Sequence, residues 1–288
     1  MKRPSVKIKQ YWTELPGGGY YPFHLKMLAA DMLHLVGRWD VLNARLDDGM
    51  ALARAYGLEH VEGRCLMLSG EVDYKRGDYQ GARGKISQAM GLLARHGEQE
   101  GVFKCQVDLA WIALETRDYG LAERIALELI SQNQDSFGML YLQAQNILGL
   151  VYQSTGRYQL ALDTFNRALE LSDSAGRGKV AAAALLANIG SVHYDSGRYP
   201  EAAKLFRQSL GVCRQSGDIF TEYYALYNLA GTLEKMEQLE SALTHYQRDL
   251  ALARQLGDGP GEQVIIKDIE RLKTVKDQGK TIQAKRDE

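Results

Sequence analysis

Proline is scarce in this chain, with five among 288 residues, about half the usual share. Long helices are favoured, because each missing proline is a missing interruption of the helical hydrogen-bond ladder. Cysteine is scarce as well: Cys65, Cys105 and Cys213 are odd in number, widely spaced and free of any Cys-x-x-Cys pair. That excludes a disulfide framework and a cysteine metal site, and favours a reducing compartment. No apolar run approaches the roughly 18 residues of a membrane span. The basic segment from Met1 to Gln10 has no apolar stretch behind it, so it does not read as a secretory signal. Net charge is −1, which gives no bulk attraction to nucleic acid or an anionic membrane.

Periodicity is what the sequence has in abundance. Trp39, Tyr79, Tyr119, Tyr158, Tyr199 and Leu239 recur at intervals of 40, 40, 39, 41 and 40 residues. Four of them follow a glycine and one charged residue, as in Gly77-Asp78-Tyr79 and Gly156-Arg157-Tyr158. A fixed period of this length makes the chain a stack of similar units, which overrides the one to three domains suggested by length.

Each unit can be measured from this recurrent residue. Nine positions earlier stand Ala30, Gly70, Ala110, Gly149, Gly190 and Ala230; three later stand Ala82, Ala122, Ala161, Ala202 and Ala242, with Leu42 in the first unit. Small residues at both places let two helices approach closely. Leu46, Ile86, Ala126, Phe165, Phe206 and Tyr246, seven positions later, mostly fill the space left. Gly57, Gly97, Gly176, Gly217 and Gly257, eighteen positions later, are suited to ending a helix in the left-handed conformation. Asp218 and Asp258 follow two of them and are placed to cap the next helix. Pro200 fits the first turn of a helix, where its missing N–H costs nothing. Cys65 and Cys105 fall at a position that later units fill with Ala144 and Ala225, and read as small core residues.

The pattern resembles the tetratricopeptide repeat family over roughly residues 22 to 257. The fourth unit carries it best, with Leu148-Gly149-x-x-Tyr152, Gly156-Arg157-Tyr158, Ala161-x-x-x-Phe165 and Ala168. The fifth repeats Ile189-Gly190, Gly197-Arg198-Tyr199 and Ala202-x-x-x-Phe206. The family's usual period is about 34 residues, with a proline closing the second helix. Here that place holds Arg54, Ala94, Gln134, Asp173, Arg214 and Arg254, so the second helix can run on. The lengthened unit is similar to those of kinesin light chains, spindle-orientation adaptors and bacterial peptide-sensing regulators. The resemblance implies an all-α fold: an α-solenoid, a right-handed superhelix of six antiparallel helix pairs with a C-terminal capping helix.

The expected pairs span about 22–57, 58–97, 98–135, 136–176, 177–217 and 218–257. Residues 1–21 form an N-terminal extension in which Trp12, Tyr20 and Tyr21, with the nearby Phe23, could cover the first repeat. A capping helix is expected over 258–276, with Val264, Ile265, Ile269 and Leu272 at helical spacing, and a frayed polar tail over 277–288. Both ends also read as cut edges of a larger signalling protein. The third unit departs most: Thr116 is read as replacing the turn glycine, Phe137 replaces the terminal one, and Ser131 to Ser136 is the most polar connection. That connection reads as a reshaped loop, a hinge or a docking loop.

Catalytic signatures are lacking. There is no GxSxG or HExxH, and the six histidines never pair at i, i+4. The run Ala175-Gly176-Arg177-Gly178-Lys179-Val180 lacks the early glycine and the Ser/Thr after lysine that a phosphate loop needs. His193 aligns with Tyr152 and reads as a packed core histidine. No catalytic residue, cofactor or metal is expected.

In the family the first helix of each pair lines a concave groove, so the resemblance implies a binding face from those helices. By position it receives Arg64, Lys104 and Gln143, then Leu28, Leu68, Asp108, Asn188 and Asn228, then Asp31, Glu71, Trp111 and Leu150. Asn146, Tyr194, Tyr224 and Tyr227 occupy further inner places. Asparagine amides both donate and accept, so a ladder of them can hold an extended peptide by its backbone. Trp111 and the tyrosines offer flat area with little rotamer entropy to lose. The carboxylate-clamp pattern that grips chaperone C-termini is not carried over, since Leu150, Ala187 and Tyr224 flank Asn188. The expected role is a non-catalytic scaffold binding a protein or peptide ligand. The alternative is a sensory segment of a bacterial-type signalling protein whose ligand changes superhelix pitch. Neither nucleic acid nor membrane is expected as a partner. Self-association through end repeats and a cytoplasmic location complete the reading.

Overall fold

The computed structural model describes residues 39–132, 134–174 and 179–287. They form helices joined by short turns, with no strand among them. In chain order these are α1 (Trp39–Ala55), α2 (Glu59–Lys75), α3 (Tyr79–Arg95), α4 (Gln99–Glu115), α5 (Tyr119–Ser131), α6 (Gln134–Ser154), α7 (Tyr158–Ser174), α8 (Lys179–Asp195), α9 (Tyr199–Ser216), α10 (Ile219–Lys235), α11 (Leu239–Leu256) and α12 (Gly259–Asp287). The chain divides after Gln99 into two compact units. The fold is all-α and solenoid in type, helix pairs stacked in sequence order within each unit. The expected first helix of the first pair, with Leu28, Ala30 and Asp31, lies outside the described residues, as do the N-terminal extension and Gly176.

The periodic residue opens every second helix: Trp39, Tyr79, Tyr119, Tyr158, Tyr199 and Leu239 are the first residues of α1, α3, α5, α7, α9 and α11. Two positions before it the chain turns through the left-handed region. Gly77, Gly156 and Gly197 do so with φ of 82°, 74° and 74°, but Arg117 and Glu237 do so as well, both at φ 61°. The turn position of the third unit is therefore Arg117 and not Thr116, whose hydroxyl donates to the Ile112 carbonyl at 2.8 Å. Gly57, Gly97, Gly217 and Gly257 end their helices at positive φ. Asp218 and Asp258 accept from the main-chain N–H of Thr221 and Gly261 at 3.1 and 3.0 Å, the capping arrangement expected of them. Asp78 and Asp118 do the same for α3 and α5.

The core sits where paired helices cross. A Cβ on Gly149 would lie 2.4 Å from the Phe165 ring, one on Gly70 2.5 Å from Ile86, and one on Gly190 3.0 Å from Phe206. Phe165, Phe206 and Ile86 are fully buried, each filling space that the opposing glycine leaves open. Burying a side chain of this size contributes roughly 1.5–3 kcal/mol. All three cysteines are buried and free; burial pushes the Cys65 thiol up to about 11, which leaves it unreactive.

At two of the places where the usual proline is missing, arginine takes a bridging role. Arg54 donates to Glu62 at 2.6 Å and Arg254 to Glu262 at 2.7 Å, each tying a second helix to the next first helix. In the recurrent Gly-Arg-Tyr turn of the fourth unit, Arg157 makes two hydrogen bonds to Glu123, at 2.9 and 2.8 Å, and stacks 4.5 Å over the Tyr152 ring.

Two elements differ from expectation. α5 has 13 residues where the other second helices have 17 or 18. It stops at Ser131, whose hydroxyl caps the Glu128 carbonyl, and α6 is interrupted at Gly138, with φ 29° and ψ −91°. α12 runs to Asp287, past the expected end at 276, so the backbone of 277–287 is helical and not a frayed tail. α12 passes through Gly279 without ending there.

Candidate functional site

In the second unit, α4, α6, α8 and α10 are the first helices of their pairs, and α12 follows them. Side chains link consecutive members. Asn188 on α8 donates to Asn146 on α6 at 2.7 Å, and Gln153 on α6 donates to Asp195 on α8 at 2.7 Å. The Ser191 hydroxyl on α8 meets that of Tyr224 on α10 at 2.9 Å. Tyr227 on α10 donates to Asp268 on α12 at 3.1 Å, and Arg271 on α12 grips Glu234 on α10.

Two of the asparagines thus come together directly. Asn188 is largely buried and Asn146 half-buried, so one amide hydrogen of Asn188 is already committed. Asn228 turns its amide to the Tyr224 carbonyl of its own helix at 2.8 Å. The aromatic residues are the more open: Tyr224 is 42% and Tyr227 36% exposed. Desolvation is the chief cause pushing both hydroxyls above the ordinary tyrosine range.

Other expected members lie elsewhere on the same helices or apart from this group. Lys104 and Asp108 pair with each other on α4, and Trp111 is half-buried against a core that includes Phe103 and Val107. Gln143 is half-buried on α6. Tyr194 packs at the helix corner, its ring edge-on to Tyr199 at 5.4 Å. Arg64 belongs to the first unit, where its Nε donates to Glu98 at 2.8 Å.

Phe220, 55% exposed at the start of α10, was missed by position counting. It could have been found, since Phe220, Tyr224 and Tyr227 recur at i, i+4 and i+7, one helical face. Ser191 and Asp268 carried no comparable signal, because their importance lies in what they touch across helices. His193 is held below the usual imidazole range, first by burial and then by Arg198, and among the described residues no group of His, Cys, Asp and Glu is arranged to hold a metal. No helix among them is long and apolar enough to cross a membrane.

Residues 140–215 and 225–260 match the tetratricopeptide repeat family. Those two stretches carry tetratricopeptide repeats. Response regulator aspartate phosphatase A of Bacillus subtilis (strain 168) is 24% identical over 215 residues, 70% of this chain. The match spans only 56% of that protein's length. Among solved structures, NprR in complex with its cognate peptide NprX is similar with a TM-score of 0.65 and 16% identity, over 91% of this chain and 76% of that one. The Rap conjugation gene regulator of plasmid pLS20, in complex with the Phr* peptide, is similar with a TM-score of 0.64 and 19% identity, over 71% and 57%. These likenesses show the fold: α-helical repeats of the tetratricopeptide kind.

Proposed function

We propose that the first-helix face of the second unit binds a peptide or helix of a partner protein, the repeats serving as a non-catalytic scaffold. The observation that carries this is the exposed aromatic stripe Phe220, Tyr224 and Tyr227 on α10, bordered by Asn228 and by the Asn146–Asn188 pair. Rigid aromatic area beside amides that both donate and accept suits an extended peptide, whose backbone needs both. That two similar structures are complexes with peptides supports the same reading.

The decisive measurement is calorimetric titration with a synthetic peptide from a partner recovered by affinity capture. Asn188→Ala combined with Asn228→Ala should weaken binding by roughly 1–3 kcal/mol while helicity is retained. Tyr224→Ala should weaken it by about tenfold or more. Affinities equal to the parent's in both variants would remove this face from consideration.

A second reading is favoured by the match to a response regulator aspartate phosphatase: the repeats act as the sensory segment of a signalling protein, ligand binding altering how successive pairs pack. Under it, the intact chain would change the lifetime of a phosphorylated aspartate on a response regulator, and added peptide would reverse the change. An unaltered decay rate would argue for the scaffold alone.

A further inference from the structure

From α3 onward, the residue ten positions after each periodic one is Ala89, Leu129, Ala168, Ser209 or Asp249, and all five are fully buried. The two polar ones differ. The Ser209 hydroxyl donates to the main-chain carbonyl of Ala183, 26 positions earlier on α8, at 2.7 Å. Asp249 stands 26 positions after Tyr223 on α10, and neither of its carboxylate oxygens has a hydrogen-bond partner. Repeat equivalence sets it against the Tyr223 carbonyl. Carbonyl and carboxylate are both acceptors and repel; only the protonated acid has a hydrogen to give.

The surroundings deny the anion any relief. From α10 come Tyr223 and Tyr227, both of which sense the charge of Asp249, and Glu222, already taken by Arg248. From the turn that caps α12 comes Asp258; along α12 itself, Asp268 and Arg271 are engaged with Tyr227 and Glu234. Asp258 accepts the Tyr223 hydroxyl at 3.0 Å on one oxygen and caps α12 through Gly261 at 3.0 Å with the other. The start of α12 is therefore built on the residue whose hydroxyl holds Asp258 and whose carbonyl faces Asp249.

We propose that Asp249 is a proton-operated latch for α12: as the neutral acid it bonds the Tyr223 carbonyl, and as the anion it repels that carbonyl and Asp258 together. Burial, followed by the charge of Asp258, pushes its carboxyl up to about 8, against an ordinary value of about 3.9 in an unfolded chain. The folded state then holds the extra proton between those values, so folding weakens as pH rises through that window and levels off above it. α12 loosens first, because Asp258, whose charge acts on Asp249, caps its first turn.

The test is thermal melting and amide hydrogen exchange of the full chain between about pH 5 and pH 9, with exchange corrected for its intrinsic pH dependence. The parent's melting temperature should fall with pH, and α12 should lose protection while α9 keeps its own. Asp249→Ser, which copies the fifth repeat, and Asp249→Asn, whose amide can donate to the same carbonyl, should remove most of both changes. A pH course in both variants parallel to the parent's would overturn the proposal. So would failure of both to fold, since Ser209 shows that a neutral donor fits this place.

Discussion

At the scale of single residues, the decisive choice is which side of each crossing gives up its side chain. Gly149 faces the Phe165 ring and Gly190 the Phe206 ring, with would-be Cβ separations of 2.4 and 3.0 Å. Replacing a helical glycine by alanine gains up to about 1 kcal/mol in propensity, while overpacking costs typically about 1–3 kcal/mol. Gly149→Ala should therefore be net destabilising and Gly190→Ala close to neutral, a difference that urea denaturation resolves. Gly190→Leu should lower stability by at least ~2 kcal/mol; a melt superimposable on the parent's would contradict the crossing geometry. Asp249 is the opposite case, a position where five repeats agree on burial and one supplies a group that cannot be buried as its usual ion.

At the scale of elements, the turns between paired helices show how tightly the period constrains the backbone. Three of the described turns use glycine, at φ 82°, 74° and 74°, and two force Arg117 and Glu237 to φ 61°. A non-glycine residue there costs about 1–2 kcal/mol, partly offset by its smaller loss of chain entropy, about 0.4–1 kcal/mol. Arg117→Gly and Glu237→Gly should each stabilise by up to ~1 kcal/mol, read as a higher denaturation midpoint at unchanged slope. A lower midpoint in both would mean that the side chains contribute more than their backbones lose. The shortened α5 and the interruption at Gly138 mark the one connection where the repeat lacks its terminal glycine. Without a left-handed stop, the helix ended where a serine could satisfy its carbonyl.

At the scale of the whole molecule, repeats that contact only their neighbours leave end faces to be covered. α12 covers the last one with Ile265, Ile269 and Leu272, and its outward positions Lys267, Glu270 and Lys273 are charged. Ile269→Asp should cost more than ~3 kcal/mol by burying an unpaired charge. Size-exclusion chromatography should then show larger species, as the uncovered face of the last repeat seeks a substitute. An unchanged elution profile and melting temperature would mean that α12 is dispensable as a cap.

Helix pairing, the small residues at each crossing, the terminal glycines and the caps Asp218 and Asp258 were all readable from the chain. Each rests on local steric or capping rules that repeat every 40 residues or so. Of the exposed stripe on α10, Tyr224 and Tyr227 were placed by position, while Phe220 was overlooked although it shares their helical spacing. Only the tertiary structure decided that Asn188 spends an amide hydrogen on Asn146, that Tyr194 belongs to a corner and that Asp249 meets no donor. The physical reason is range. A period reports what each residue does within its own helix pair, whereas these outcomes depend on which side chain the next pair presents across the interface.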